Sequence, residues 1–348
     1  MRRWYQDPET PLSDEKLVMI SYVNDVIDTY AAKGFHDLTL RQIYYQLVKS
    51  DLFPEHRKYV TVNGKWKRHS SGSKNAEPNY DWLGDIVRDG RLAGLIDWDA
   101  IVDRTRAARS LRHWNDPSDV VDEGVRNFRI QKWSEQSNYI EVWVEKDALV
   151  GILERACTQV DVDVAYFSCR GYSSSTALWE AAQRIEEKIS AGHKVTVLYL
   201  GDHDPSGVDM TRDIRERMTL FMSMDISHDA DMSRREAYDY LRTVFRVKRI
   251  ALNMNQIIAL DPPPNPTKPK DSRSPAYIEQ FGYHCWELDA IPPDELVRLI
   301  VGEVRGLQGP RRWAKARAKE ERLRAQLKKV KDRWADVLAF LEDDGEAA

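Results

Sequence analysis

At 348 residues the chain is long enough for two domains and a tail, each able to bury a core. Lys and Arg number 52 against 56 Asp and Glu, a formal net charge of -4, which excludes a uniformly basic nucleic-acid coat. The longest apolar runs are of the size of Ala148 to Leu153, far below the ~20 residues that span a bilayer. Met1-Arg2-Arg3-Trp4-Tyr5 leads into no secretory segment, and Cys157, Cys169 and Cys285 have neither zinc-ribbon nor disulfide-framework spacing. A soluble cytoplasmic protein is expected.

In chain order, residues 15–33 place Leu17, Ile20, Val23, Val26, Ile27 and Tyr30 on one helical face, with Gly34 closing the segment. Thr39 caps a second helix that should run to Phe53, ahead of Pro54. Asn63-Gly64 between Tyr59–Val62 and Lys65–Arg68 predicts a two-residue hairpin, and a third helix is expected over Asp81–Ile96. Past Gln136 the pattern alternates: a strand from Tyr139 to Val144, a helix capped by Asp147 through Ala156, a strand from Val164 to Ser168, a helix from Ser174 to Ile189, a strand from Lys194 to Leu200, a helix from Ser206 to about Met222, and a strand from Val247 to Leu252. That order predicts an α/β fold with a mostly parallel sheet covered on both faces. Pro262-Pro263-Pro264-Asn265-Pro266 and the charged run from Lys268 to Ser274 mark an irregular connection. Trp286 to Asp289 reads as a late edge strand, with outer carboxylates at a metal site as the alternative. Leu323, Leu327, Val330, Trp334, Val337 and Leu341 form a three-heptad seam, open either to a second chain or to folding back on its own domain.

Charge is segregated along the chain. Leu38 to Arg112 holds 14 Lys+Arg against 9 Asp+Glu, Arg305 to Arg333 holds 12 against 3, and His113 to Val304 holds 22 against 32. Basic flanks around an acidic centre suit an enzyme that grips a polyanion and holds divalent cations; solvated helix faces of differing sign give the same counts. In the centre, Glu145 follows the first strand and Asp202 and Asp204 follow the third. Ligands of open α/β sheets bind at the carboxyl ends of such strands, and residues two apart in extended chain point the same way. Three carboxylates in one crevice call for a hard cation, Mg2+ being the fitting ion with Mn2+ as a substitute. The competing reading is turn and helix-capping chemistry ahead of Ser206. His203 should point away from its neighbours, and the loop from Gly171 to Ser175 is either a phosphate cradle or a plain turn.

The strand ending in Val144-Glu145-Lys146 and the strand ending in Asp202-His203-Asp204-Pro205-Ser206-Gly207 together resemble the Toprim domain. In detail they look most like the topoisomerase VI A subunit and the related meiotic double-strand-break transesterase, although Ser206 stands where that family often has an aromatic residue. The family carries a winged-helix domain before Toprim with an Arg-x-x-Tyr/Phe-Tyr motif, and Arg41-Gln42-Ile43-Tyr44-Tyr45 matches it. The resemblance covers roughly residues 15 to 260.

It implies a winged helix over 1–112, a linker over 113–137, a Toprim domain with an elaboration over 138–300, and a basic helical tail over 301–348. Tyr45 would be the nucleophile, Arg41 the cation one turn before it that helps a phenol of pKa about 10 to react, and Glu145, Asp202 and Asp204 the metal ligands. Arg57, Lys58, Lys65, Lys67, Arg68, Arg88 and Arg91 would contact double-stranded DNA. The expected activity is Mg2+-dependent cleavage leaving 5′-phosphotyrosyl ends, by a nucleoid-associated homodimer in which each tyrosine meets its partner's metal site, with strand passage left to a separate ATPase subunit. The alternatives are a hydrolytic Toprim nuclease of the phage or plasmid defence type, and a winged-helix DNA-binding regulator without catalysis.

Overall fold

The computed structural model describes residues 12–36, 38–102, 111–159, 161–169, 175–229, 232–267 and 271–343. The first core is built from three helices. Helix α1 (Asp14–Ala32) starts on Ser13, whose hydroxyl accepts the Lys16 N–H, and turns Met19, Ile20, Val23 and Tyr30 inward. Leu17, expected on that face, is instead exposed. Helix α2 (Leu40–Lys49) opens with a reciprocal capping box between Thr39 and Gln42, and stops four residues short of Phe53. Strands β1 (Tyr59–Val62) and β2 (Lys65–Arg68) form the expected hairpin. Asn63 and Gly64 both have positive φ, 51° and 74°, as a type I′ turn requires. Helix α3 (Glu77–Leu92) begins ahead of Asp81 because Pro78 sits in its first turn. A further helix, α4 (Pro117–Asn127), lies where a linker was expected.

The second half is a four-stranded, wholly parallel sheet in the order β4-β3-β5-β6, comprising β3 (Asn138–Val144), β4 (Ala165–Ser168), β5 (Lys194–Leu200) and β6 (Phe245–Ala251). The period of two shows in β3: Ile140, Val142 and Val144 enter one core, and Trp143 enters the other. Helices α5 (Val150–Cys157), α6 (Ser175–Ser190), α7 (Pro205–Asp229) and α8 (Arg234–Val244) connect the strands and, with α9 (Met254–Leu260) after β6, cover both faces. Asp147 does not cap α5; it opens a 3-10 turn, Asp147–Leu149, that precedes it. Helix α7 continues well past Met222, and α8 carries a capping box from Ser233 and Glu236.

After α9 the chain returns to the N-terminal helices. The short pair β7 (Asn265–Pro266) and β8 (His284–Cys285) brackets α10 (Ser274–Phe281). Trp286 to Asp289 is not an edge strand. Trp286 makes only a bridge to His203, and Leu288–Ala290 is a 3-10 turn. Ala290 of that turn is buried in the N-terminal core, and Lys49 Nζ donates to the Leu260 carbonyl at 2.9 Å. Helix α11 (Pro293–Leu307) backs the sheet, and α12 (Pro310–Asp332) and α13 (Trp334–Asp343) follow. The heptad seam is not continuous, because α12 ends at Arg333, whose φ is -117°. Leu327 packs over Gly124 of α4, so the first part of the seam is covered by the chain itself. The Gly171–Ser174 part of the phosphate-cradle loop and residues 268–270 lie outside the described residues. No helix among the described residues is long and apolar enough to cross a membrane.

The anchor of α12 is a buried ion pair. The Lys132 side chain, 0% exposed, reaches Glu320 at 2.7 Å and Asp163 at 2.6 Å, and the Glu320 carboxylate also accepts the Ile130 N–H. Removing one partner of such a pair strands a buried charge. Glu320→Leu should cost about 3 kcal/mol or more in urea unfolding, and adding Lys132→Met should recover most of that loss.

Candidate active site

Strands β3 and β5 are neighbours, with Val144 opposite Leu200. The connection from β3 goes to β4 on one side, and the chain then returns to β5 on the other. Chain direction across the sheet therefore reverses between these two strands, and their carboxyl ends form the crevice where such folds bind ligands. Glu145 leaves β3 there, and Asp202 and Asp204 leave β5.

The acids are held by backbone donors. Glu145 Oε2 accepts the Asp202 N–H at 2.9 Å, Asp202 Oδ1 accepts the Leu288 N–H at 2.8 Å, and Asp204 Oδ1 accepts the Gly207 N–H at 2.6 Å at the start of α7. The helix-capping role is thus realised at Asp204 by one oxygen. Close approach also requires Gly207 itself, since a Cβ there would fall 2.3 Å from the Asp202 carbonyl oxygen and 3.0 Å from Glu145 Oε2. Arg249 of β6 secures the loop from below, donating to the carbonyls of Gly207 at 2.7 Å and Gly201 at 2.8 Å. Burial raises the Glu145 and Asp202 pKa values, and a nearby carboxylate adds to the shift in each: Asp204 for Glu145, Glu145 for Asp202. Lys146 opposes the rise in both.

Lys146 Nζ lies 2.8 Å from Asp202 Oδ2, 2.8 Å from Asp289 Oδ2 and 3.1 Å from Glu287 Oε2. Burial works against its charge, but the three carboxylates outweigh that and hold its pKa above the usual lysine value. Glu287 also pairs with Arg41 and lines the cleft beside Tyr45. Despite burial, Lys146 and Arg41 keep Glu287 below the ordinary carboxylate range.

Tyr45, Arg41, Lys146, Asp202, Asp204 and Glu287 line one cleft of about 650 Å³. This is completed within one chain, whereas the family resemblance implied a tyrosine supplied to its partner's acids. Tyr45 is 3% exposed and Asn265 Nδ2 donates to its oxygen at 3.3 Å. Burial first, then Glu287, pushes its pKa well above the ordinary phenol value, against the smaller lowering by Arg41. Tyr44 lines the same cleft, but its hydroxyl is engaged: it accepts the Ala76 N–H at 2.8 Å and donates to Asn75 Oδ1 at 3.0 Å.

Among the described residues no group of three or more His, Cys, Asp and Glu side chains is placed to hold a metal ion. Glu145, Asp202 and Asp204 offer only carboxylate oxygen, the donor type that a hard divalent cation takes; Asp202 and Asp204 line the cleft, and Glu145 is buried outside its lining. His203 points away, into Tyr277, Phe281 and Trp286, and burial lowers its pKa to about 4.

The expected DNA contacts are dispersed. Arg57 stacks 3.4 Å from the Trp82 ring centroid, Lys58 pairs with Glu55 at 2.7 Å, Arg88 pairs with Asp85 and Asp89, and Arg91 donates to the Trp98 carbonyl at 2.8 Å. Lys65, Lys67 and Arg68 are exposed. The β1–β2 register puts Thr61 and Trp66 on the face that lines the cleft, so Lys65 and Lys67 occupy the opposite face. Sequence reasoning missed Arg249, Asn265 and Trp66. Only Arg249 carried a signal, as a charge inside an otherwise strand-like run.

Comparison of the chain with protein-family models, with curated proteins and with solved structures returned no match.

Proposed function

We propose that the protein cleaves DNA phosphodiesters with a divalent cation bound at Glu145, Asp202 and Asp204, and with Tyr45 as the attacking group. The observation that carries this reading is the shared cleft: a tyrosine from the N-terminal helices and acids from the switch point of the sheet line one cavity. Helices α1–α3 with the β1–β2 ribbon are read as a winged helix, and the β4-β3-β5-β6 sheet with its acids as a Toprim domain of the topoisomerase VI A type. When bound, Mg2+ would supply charge neutralisation at the scissile phosphate.

The chain's own groups account for the rest. Arg41 and Lys146 offer positive charge to a phosphate entering the cleft. Tyr45 Oη bonds to phosphorus as the bond from phosphorus to the 3′ oxygen breaks, leaving a 5′-phosphotyrosyl end. Glu287, which lines the cleft with Tyr45, takes the phenolic proton. Lys146, 3.1 Å from Glu287, passes a proton to the departing 3′ oxygen and regains one from Glu287, so atoms and charge balance. One cleft per chain makes a double-strand break the work of a homodimer, and strand passage the work of a separate ATPase subunit. A second reading, hydrolysis by water, is favoured by one fact: the Tyr45 hydroxyl is buried and harder to ionise than a free phenol.

Plasmid nicking or cleavage should depend on Mg2+ or Mn2+ and stop in EDTA. Asp202→Asn and Glu145→Gln should each lower it by about a hundredfold or more with an unchanged circular-dichroism spectrum; full activity in EDTA removes the metal assignment. Reactions stopped with denaturant should leave protein on DNA 5′ ends, and Tyr45→Phe should abolish both cleavage and adduct. Tyr44→Phe should retain cleavage while losing about 1 kcal/mol of stability, because the Ala76 N–H loses its acceptor. Normal cutting by Tyr45→Phe, with no adduct, assigns the attack to water.

A further inference from the structure

Helix α12 spends one face on the fold. Trp313, Ala316 and Glu320 are buried and Leu327 meets α4. The opposite face carries Arg311, Arg312, Lys315, Lys319, Arg322 and Lys329, all exposed. At 100° per residue these fall within about 100° of arc, and from Arg311 to Lys329 they extend about 27 Å along the axis. No acidic residue falls within that arc. Lys315 and Lys319 share Glu135 at 3.9 Å, and Arg312 donates to Ser137 Oγ at 2.6 Å. Among the described residues no carboxylate pairs with Arg311, Arg322 or Lys329.

Helix α7 shows how a merely solvated face is built in this molecule. There Arg212 is flanked by Asp209 and Glu216 one turn away on either side, and Arg217 pairs with Asp213. The α12 face instead stacks like charges at i,i+4, Arg311 with Lys315 and Lys315 with Lys319, an arrangement that weakens a helix. Fold stability does not account for it.

We propose that this face of α12 docks the backbone of duplex DNA without regard to sequence, at a place distinct from the cleft. Gly309, which caps α12, bonds to Gln136, and Leu307 at the end of α11 bonds to Asn138, both beside the amino end of β3. The cleft lies at the other end of that seven-residue strand, roughly 20 Å away. Apart from Val330, 39% exposed at the rim of the arc, the stripe exposes no aromatic or large aliphatic side chain of the kind that anchors a protein partner, and it has no ring on which unpaired bases could stack. A straight row of point charges matches the regular phosphates of a duplex.

The test is binding of a fluorescent 30-base-pair duplex to the full chain in EDTA, where no cleavage is needed, across a salt series. Changing Arg311, Lys315, Arg322 and Lys329 to Gln keeps helix propensity and removes repulsion, so folding should persist, as a melting curve would check. The plot of log K against log salt should flatten by about three, and affinity at fixed salt should fall at least tenfold. Lys65→Gln with Lys67→Gln and Arg68→Gln is the comparator for the hairpin. A slope change below about one for the α12 variant overturns the proposal, as does equal competition by single-stranded DNA or by polyglutamate. Because the measurement is made on uncut DNA, it stands or falls independently of the cleavage reading.

Discussion

Everything near the cleft answers to one electrostatic demand, that carboxylates crowded at the ends of β3 and β5 need positive charge close by. Lys146 meets it from within the chain, touching Asp202, Asp289 and Glu287 together. In doing so it ties the sheet to the turn at 288–290, and Arg41 extends the same network to helix α2 through Glu287. The N-terminal helices are thereby held against the sheet by polar bonds at the point where a substrate would enter. In a low-dielectric crevice such bonds are strong when complete and costly when broken.

That arrangement also orders the roles of the two tyrosines. They are adjacent on α2 and both line the cleft, yet the Tyr44 hydroxyl is engaged by Ala76 and Asn75 ahead of α3, while that of Tyr45 meets Asn265. Their rings meet edge to face at 5.2 Å, so the partners of the two hydroxyls, not the direction of the side chains, set them apart. Arg249 plays the complementary part from the sheet side. Its bonds go to backbone carbonyls, so it fixes the path of the loop carrying Asp202 and Asp204.

Local signals were legible in the chain wherever a short-range rule decided the outcome. The Asn63-Gly64 turn, the Thr39 cap and the run from Lys194 to Leu200 are read from a few adjacent residues, and so are the positions of Glu145, Asp202 and Asp204 at strand ends. What could not be read depends on distant partners. Glu287 and Asp289 look like the end of a strand until the sheet and α2 are both placed, and Arg57 looks available until Trp82 is brought over it. The seam across Arg333 failed for a related reason. Its first half finds a partner in α4, which no heptad pattern specifies.

The pairing of Arg41 with Glu287 joins residues 246 positions apart. Contacts of such range form late, because loop closure must precede them. A chain emerging from synthesis can fold its helical hairpins and first strands, but until residue 287 is made Arg41 and Lys146 lack a carboxylate partner that they share. Whatever chemistry the cleft performs is therefore withheld from the nascent protein, and competence coincides with completion of the tertiary structure.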